Sequence, residues 1–238
     1  MNINFLLIVL FWAITTGFAQ NLVKNPSFEE HSCLPKEMSN FHCVNYWKSV
    51  KGVDLNFYYH ADAPPRSEGL VWFKPPTFGG YLYQEPRTGD AIISICVSNL
   101  LQQSYYIVQG MLTESLKAGH KYHAELYVNL ADDCPQTSSS FQICFSDSMF
   151  PSMVSMSYYH NLRPQVANSD TNFITDKVGW TKISGTFTAS GGERFFALGN
   201  FKPKPILHGG APEDSKFVYF FVDDVSVTEV RDSFIIEP

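Results

Sequence analysis

Asp223 and Asp224 stand inside a long apolar run near the end of the chain, Phe221-Val222-Asp223-Asp224-Val225-Ser226-Val227. At the other end, Glu29 and Glu30 close the strand-like string Asn21-Leu22-Val23-Lys24-Asn25-Pro26-Ser27-Phe28. A carboxylate among core residues is costly unless it is paired, hydrogen-bonded or bound to metal. If the two strings are neighbouring strands, their carboxylates meet and call for a cation. Ca²⁺, which takes several carboxylate and carbonyl oxygens, suits such a place. A metal-free network of hydrogen bonds, or a Lys or Arg partner, meets the same need.

Other residue types capable of chemistry lack the pattern for it. No GxSxG, HExxH, P-loop or GxGxxG string is present. His120 and His123 lie at a strand entrance, where alternation sends them to opposite faces. Asp132 and Asp133 beside Cys134 read as a solvated loop end. Glycoside hydrolysis needs two carboxylates at a defined separation, and no hydrolase pattern marks such a pair. The expectation is therefore a protein that binds without catalysis.

Aromatic residues supply the binding candidates. Two long irregular stretches, Val50 to Thr88 and Phe150 to Val178, are rich in them. Sugar rings present flat C–H faces that pack on exposed aromatic rings, with guanidinium and amide groups taking the hydroxyls. The candidates are Tyr58, Tyr59, Trp72, Tyr81, Tyr83, Tyr158 and Tyr159, with Arg87. In an extended segment, Tyr58 and Tyr59, or Tyr158 and Tyr159, cannot both point inward. Trp47 and Trp180 are assigned to the core.

The elements that must hold these residues read as all-β. Tyr105 to Glu114, Lys121 to Leu130, Trp180 to Ala189, Arg194 to Phe201 and Lys216 to Val230 are strand-like, with turn residues between them. Tyr122, Ala124, Leu126 and Val128 alternate with polar neighbours, the signature of a half-buried strand. Leu116 to His120 and Ser190-Gly191-Gly192-Glu193 are the expected hairpin connections. No segment sustains a helical period. The expected fold is an antiparallel β-sandwich, a jelly roll, with two long loop insertions.

Phe5 to Ile14 is apolar and Gly17-Phe18-Ala19 offers small residues for cleavage before Gln20. Residues 1–19 thus read as a secretory signal peptide, too short to span a membrane, and residues 20–238 as a single domain. Secretion, the cell surface or the periplasm is the expected location. The net charge of −6 argues against nucleic acid as a partner, and 45% hydrophobic residues supply a core. Export permits disulfides. Cys33 with Cys43, and Cys134 with Cys144, each flank a polar loop and are the expected bridges; Cys96 sits in an apolar run as a buried free thiol. Zinc is disfavoured because neither CxxC nor HxxxH spacing occurs.

One resemblance is carried by motifs in a fixed order. They are the opening Asn21 to Glu30, Trp47 after a cysteine-bearing loop, Trp180 to Phe187, Gly191 to Phe201 and the closing Val222 to Val227. Over most of residues 21–230 the chain resembles the galactose-binding-like, carbohydrate-binding-module jelly rolls of exported bacterial proteins. The resemblance implies a structural calcium between the first and last strands, held by Asp223 with Glu29 or Glu30. It implies a glycan or cell-surface polysaccharide as the partner, and no catalysis. A structural or adhesive surface protein that binds another protein through its aromatic loops is the alternative, and a glycan-active hydrolase the third.

Overall fold

Period-two patterning dominates the chain, and the architecture follows from it. In the computed structural model the residues described are 20–36, 40–50, 55–64, 77–78, 82–99, 106–152, 154–210 and 217–231. They form fourteen strands: β1 (Lys48–Ser49), β2 (Phe57–His60), β3 (Thr77–Phe78), β4 (Leu82–Tyr83), β5 (Ala91–Asn99), β6 (Val108–Met111), β7 (Lys121–Leu130), β8 (Thr137–Ser138), β9 (Gln142–Ser146), β10 (Val166–Ala167), β11 (Thr181–Thr188), β12 (Phe195–Gly199), β13 (Leu207–His208) and β14 (Phe217–Glu229). A short helix, α1 (Met156–His160), and a 3₁₀ turn at Asn40–Cys43 complete them. The first sheet runs β1-β6-β12-β9-β10 and the second β11-β7-β14-β5-β2, every pairing antiparallel. The all-β sandwich is thus as expected from the pattern. The segment 1–19 lies outside the described residues.

Two expected hairpins are not formed. β6 and β7 belong to different sheets, and so do β11 and β12. The connections arch across the sandwich and bond to each other instead. Leu116 N–H reaches the Glu193 carbonyl, Gly192 N–H the Leu116 carbonyl, and Gly119 N–H the Ala189 carbonyl. The Glu193 carboxylate accepts the N–H groups of Ser190 and Gly191 at 2.7 and 2.8 Å. That capture pulls the backbone out of the plane a hairpin would need.

The core lies between the sheets. β7 contributes Tyr122, Ala124, Leu126, Val128 and Leu130, all buried, and β12 contributes Phe196 and Leu198. Trp47 is buried, as expected; its ring lies 4.8 Å from Phe28 and edge-on to Phe196 at 5.3 Å, and its Nε1 donates to the Asn25 carbonyl. Trp180 packs at the core margin.

The second long insertion is irregular apart from α1 and β10, as expected, but it packs onto the sandwich. Phe150 and Tyr159 pack with Cys144, Ala197 and Ile107 in a separate apolar cluster. Cys144 and Ala197 alternate with core-facing residues, so this cluster covers the outer face of the first sheet. Cys144 is therefore remote from Cys134, which belongs to the main core and accepts Tyr219 N–H at its sulfur. The expected Cys134–Cys144 bridge is corrected: both are buried free thiols, as is Cys96, whereas Cys33 and Cys43 are joined.

Gly110 sits where two core rings close on the backbone. A Cβ there would come within 2.5 Å of Phe196 Cζ and 2.9 Å of Trp47 Cζ3. Both are ring atoms held on several sides. Gly110→Ala is expected to lower the unfolding free energy by about 1–3 kcal/mol, measured by urea denaturation; an unchanged midpoint would show that the rings shift freely.

Candidate active site

The longest strand changes phase in its middle. Val218, Phe220 and Val222 of β14 face the core, opposite Leu130 and Val128 of β7. Asp224 then takes a left-handed backbone, φ 49°, and the register with β7 slips between Asp223 and Ser226. After the slip, Val225 and Val227 face the core. Asp223 therefore shares a face with Tyr219 and Phe221, but not with Val225 and Val227 as simple alternation requires. It points to the outer side of the second sheet.

That outer side is covered. Asp223, Phe221, Asn129, Ser94, Cys96 and Tyr59 are all buried, at 0–3% exposure. Five aromatic rings run along it: Tyr59 lies 5.9 Å from Phe221 and 6.3 Å from Phe57, Phe57 5.9 Å from Tyr219, and Tyr219 5.9 Å from Phe217. Tyr59 also bonds the Ser94 hydroxyl at 3.2 Å. The signal for this face was in the sequence. A strand that is apolar at successive positions, as Phe217 to Val222 is, has both faces buried.

Loop Arg87–Ala91 wraps the carboxylates with main-chain donors. Asp223 Oδ2 accepts the N–H groups of Arg87 at 2.7 Å and Thr88 at 3.1 Å, and Oδ1 that of Asp224 at 2.7 Å. Glu29 Oε1 accepts from Asp90 and Ala91 at 3.0 and 3.1 Å. Gly89, φ 66°, makes this wrap possible, since a Cβ would fall 2.2 Å from Glu29 Oε1. Asp224 takes the Arg87 guanidinium and, at 2.6 Å, the Thr88 hydroxyl. The guanidinium also lies over the Tyr127 ring, 3.5 Å from its centroid.

Burial is the main force on the Asp223 carboxyl and, with the charge of Asp224 beside it, pushes it up to about 7; the three N–H donors oppose the shift. Burial likewise raises Glu29, against its two N–H donors. Asp223 is thus a group that can give and take a proton near neutrality, on an aromatic, water-poor surface.

The other expected site residues are dispersed. Tyr58 is buried on the core side of β2, and its hydroxyl lacks a hydrogen-bond partner among the described residues. Tyr159 is buried beneath α1 and donates to the Pro151 carbonyl; Tyr158 is 40% exposed. Trp72 and Tyr81 lie outside the described residues, and so does the side chain of Tyr83. Glu30 is exposed, and its main chain rather than its carboxylate is engaged, with Asn25. His120 pairs with Glu229, and His123 with Glu125 and Thr186. Cys33, His42 and Cys43 present ligand atoms within 4.8 Å of one another, but the two sulfurs are spent in the disulfide, which removes the thiolates a soft metal needs.

No protein-family model matches the chain, and no curated protein does. Solved structures do. The chain is similar to a cyclase from Fischerella sp. TAU at 13% identity and a TM-score of 0.50, covering 91% of this chain and 100% of that one. The same identity and TM-score hold for a cyclase from that organism in complex with 4-(1H-indol-3-yl)butan-2-one, over 90% and 100% of the two chains. They hold again for the Stig cyclase Fisc in complex with (3Z)-3-(1-methyl-2-pyrrolidinylidene)-3H-indole, over 91% and 100%. At this identity the shared property is the fold.

These findings correct the expected carbohydrate-binding module and the expectation that the chain is not an enzyme. The solved structures that it matches at a TM-score of 0.50 over about nine-tenths of its length are of cyclases, not of carbohydrate-binding modules. Of the seven rings meant to stack on sugar, Tyr58, Tyr59 and Tyr159 are buried and Tyr158 is exposed. Among the described residues no helix is long and apolar enough to cross a membrane.

The raised Asp223 group makes stability depend on pH with a definite sign. The folded carboxyl keeps its proton up to about pH 7, while the unfolded one releases it near 3.9. The native state therefore binds more protons over that window, and this contribution to stability is full below about pH 4 and lost as pH rises through 7. Asp223→Asn is expected to flatten the fall in Tm between pH 4 and 7.5, worth on the order of 4 kcal/mol. Parallel pH profiles of variant and wild type would refute it.

Proposed function

We propose that this protein is an enzyme that transfers a proton to a planar, apolar aromatic substrate, with Asp223 as the proton donor. The observation that carries the reading is the buried Asp223 carboxyl, raised to about 7, at the end of a continuous aromatic surface. A neutral carboxylic acid in a water-poor site protonates a weakly basic carbon or oxygen, and the developing cation is stabilised by aromatic faces and by the carboxylate left behind. The reaction class is an acid-promoted rearrangement or ring closure. The indole compounds bound by the Fischerella cyclases are of this chemical type and support the choice of probe. The Cys33–Cys43 disulfide supports an exported enzyme in an oxidising compartment.

The test is direct. Residues 20–238 should bind 4-(1H-indol-3-yl)butan-2-one by titration calorimetry, and should convert at least one member of a panel of 3-alkylated indoles, followed by mass spectrometry. Asp223→Asn should retain binding and lower turnover by roughly 10²-fold or more, and wild-type turnover should decline above pH 7. No binding and no turnover across the panel would reject the reading.

A structural calcium is a second reading, favoured by one observation: Glu29, Asp223 and Asp224 all accept hydrogen bonds from loop Arg87–Ala91, and the charge of Asp224 adds to burial in raising Glu29 and Asp223. The carboxylate oxygens and the Thr88 hydroxyl are hard donors of the kind that Ca²⁺ takes, and Glu29 and Asp223 would be its principal holders. Bound calcium would keep Asp223 ionised, opposite to the proton-donor role. Under this reading, millimolar calcium raises the Tm at pH 7.5 by several degrees, and Asp223→Asn abolishes the rise; identical melting curves in calcium and in chelator would dismiss the ion.

A further inference from the structure

A cavity of about 150 Å³ lies beside the first described residue, lined by Gln20, Leu22, Glu114, Lys117, Glu229 and Arg231. Immediately after Gln20 the chain is clamped. Asn21 Nδ2 donates to the Val225 carbonyl at 3.0 Å, and Asn21 Oδ1 accepts the N–H groups of Val23 and Val227, each at 3.0 Å. Leu22 N–H donates to the Val227 carbonyl at 2.8 Å, and the Leu22 carbonyl accepts Thr113 N–H at 2.7 Å. Gln20 stands outside this clamp. It is exposed, and among the described residues it makes no hydrogen bond.

Cleavage before Gln20, where Gly17 and Ala19 supply the small residues, puts a new α-amino group beside this cavity. Two fates compete for that amine: an ion pair, or attack on its own side chain. The charges around the cavity weigh against the ion pair. Its two carboxylates, Glu114 and Glu229, are matched by two cations, Lys117 and Arg231. Glu229 is already shared between Lys117, at 3.4 Å, and His120. One more cation gains little in so solvated a place. The same positive neighbours favour the uncharged amine, which is the nucleophilic form.

We propose that the exported protein is modified at Gln20, its N terminus closing into the five-membered lactam, pyroglutamate. The inference is separate from the role of Asp223 and extends the expected cleavage after Ala19. The α-nitrogen bonds to the side-chain Cδ, and the Cδ–Nε2 bond breaks. Nε2 leaves as ammonia, carrying the proton that the α-nitrogen gives up, and nothing is oxidised or reduced. Both reacting groups belong to one residue, so the step is intramolecular. The clamp begins one residue later and does not hold either group. The product is neutral and leaves no α-amine for an aminopeptidase.

The full chain is exported from a bacterial host, purified, and read by intact mass and by its N-terminal peptide, before and after exposure to a glutaminyl cyclase. The expected species begins at residue 20 and weighs one ammonia less than residues 20–238 with the Cys33–Cys43 disulfide, with conversion complete at the latest after the cyclase. Pyroglutamyl aminopeptidase should then expose Asn21. Gln20→Ala should begin at the same position and lose no ammonia. An α-amine that persists at Gln20 in both samples overturns the inference, and so does cleavage at any other bond. Loss of ammonia that survives in Gln20→Ala places the reaction elsewhere and overturns it as well.

Discussion

Everything distinctive here depends on the left-handed backbone of Asp224. An L-residue in that conformation costs about 1–2 kcal/mol, and the side-chain bonds of Asp224 to Arg87 and Thr88 offset the cost. The kink changes which residues of β14 look inward. Ahead of it, Phe220 and Val222 fill the core while Phe221 and Asp223 look outward; beyond it, Val225 and Val227 resume the core face. Without the kink the strand would have to place either a carboxylate or a gap between the sheets.

Among the described residues the sandwich has two apolar clusters. Outside the first sheet, Phe150 and Tyr159 seal one of them. The main one fills the space between the sheets and continues through Phe221 and Tyr59 onto the outer face of the second sheet, where Asp223 lies. A carboxylate can be kept there because loop Arg87–Ala91 supplies main-chain donors in place of water. Those donors are enough to hold the group and too few to keep it fully acidic.

The sequence made the strands legible and the connections illegible. Lys121 to Leu130 alternates cleanly, and its bounds are those of β7. Leu116 to His120 and Ser190 to Glu193 have hairpin composition, yet they arch between sheets, because the Glu193 carboxylate and the opposing arch take donors and acceptors that a hairpin would use. The pair Asp223-Asp224 was visible as an anomaly, but which way Asp223 points turns on one backbone angle that period-two reasoning cannot supply. Tyr58 and Tyr59 were rightly placed on opposite faces; that both faces of β2 are buried follows from chain segments remote in sequence.

The two interlocked arches have a kinetic meaning. Each is held by bonds to the other, from Leu116 to Glu193 and from Gly119 to Ala189, across the five strands β7 to β11. Neither can close until β6, β7, β11 and β12 have already met. Order therefore arrives late and all together in this molecule, as it does in sandwiches dominated by distant pairings, which fold in milliseconds to seconds. A nascent chain interrupted before Ala189 holds half of a clasp and nothing to fasten it to.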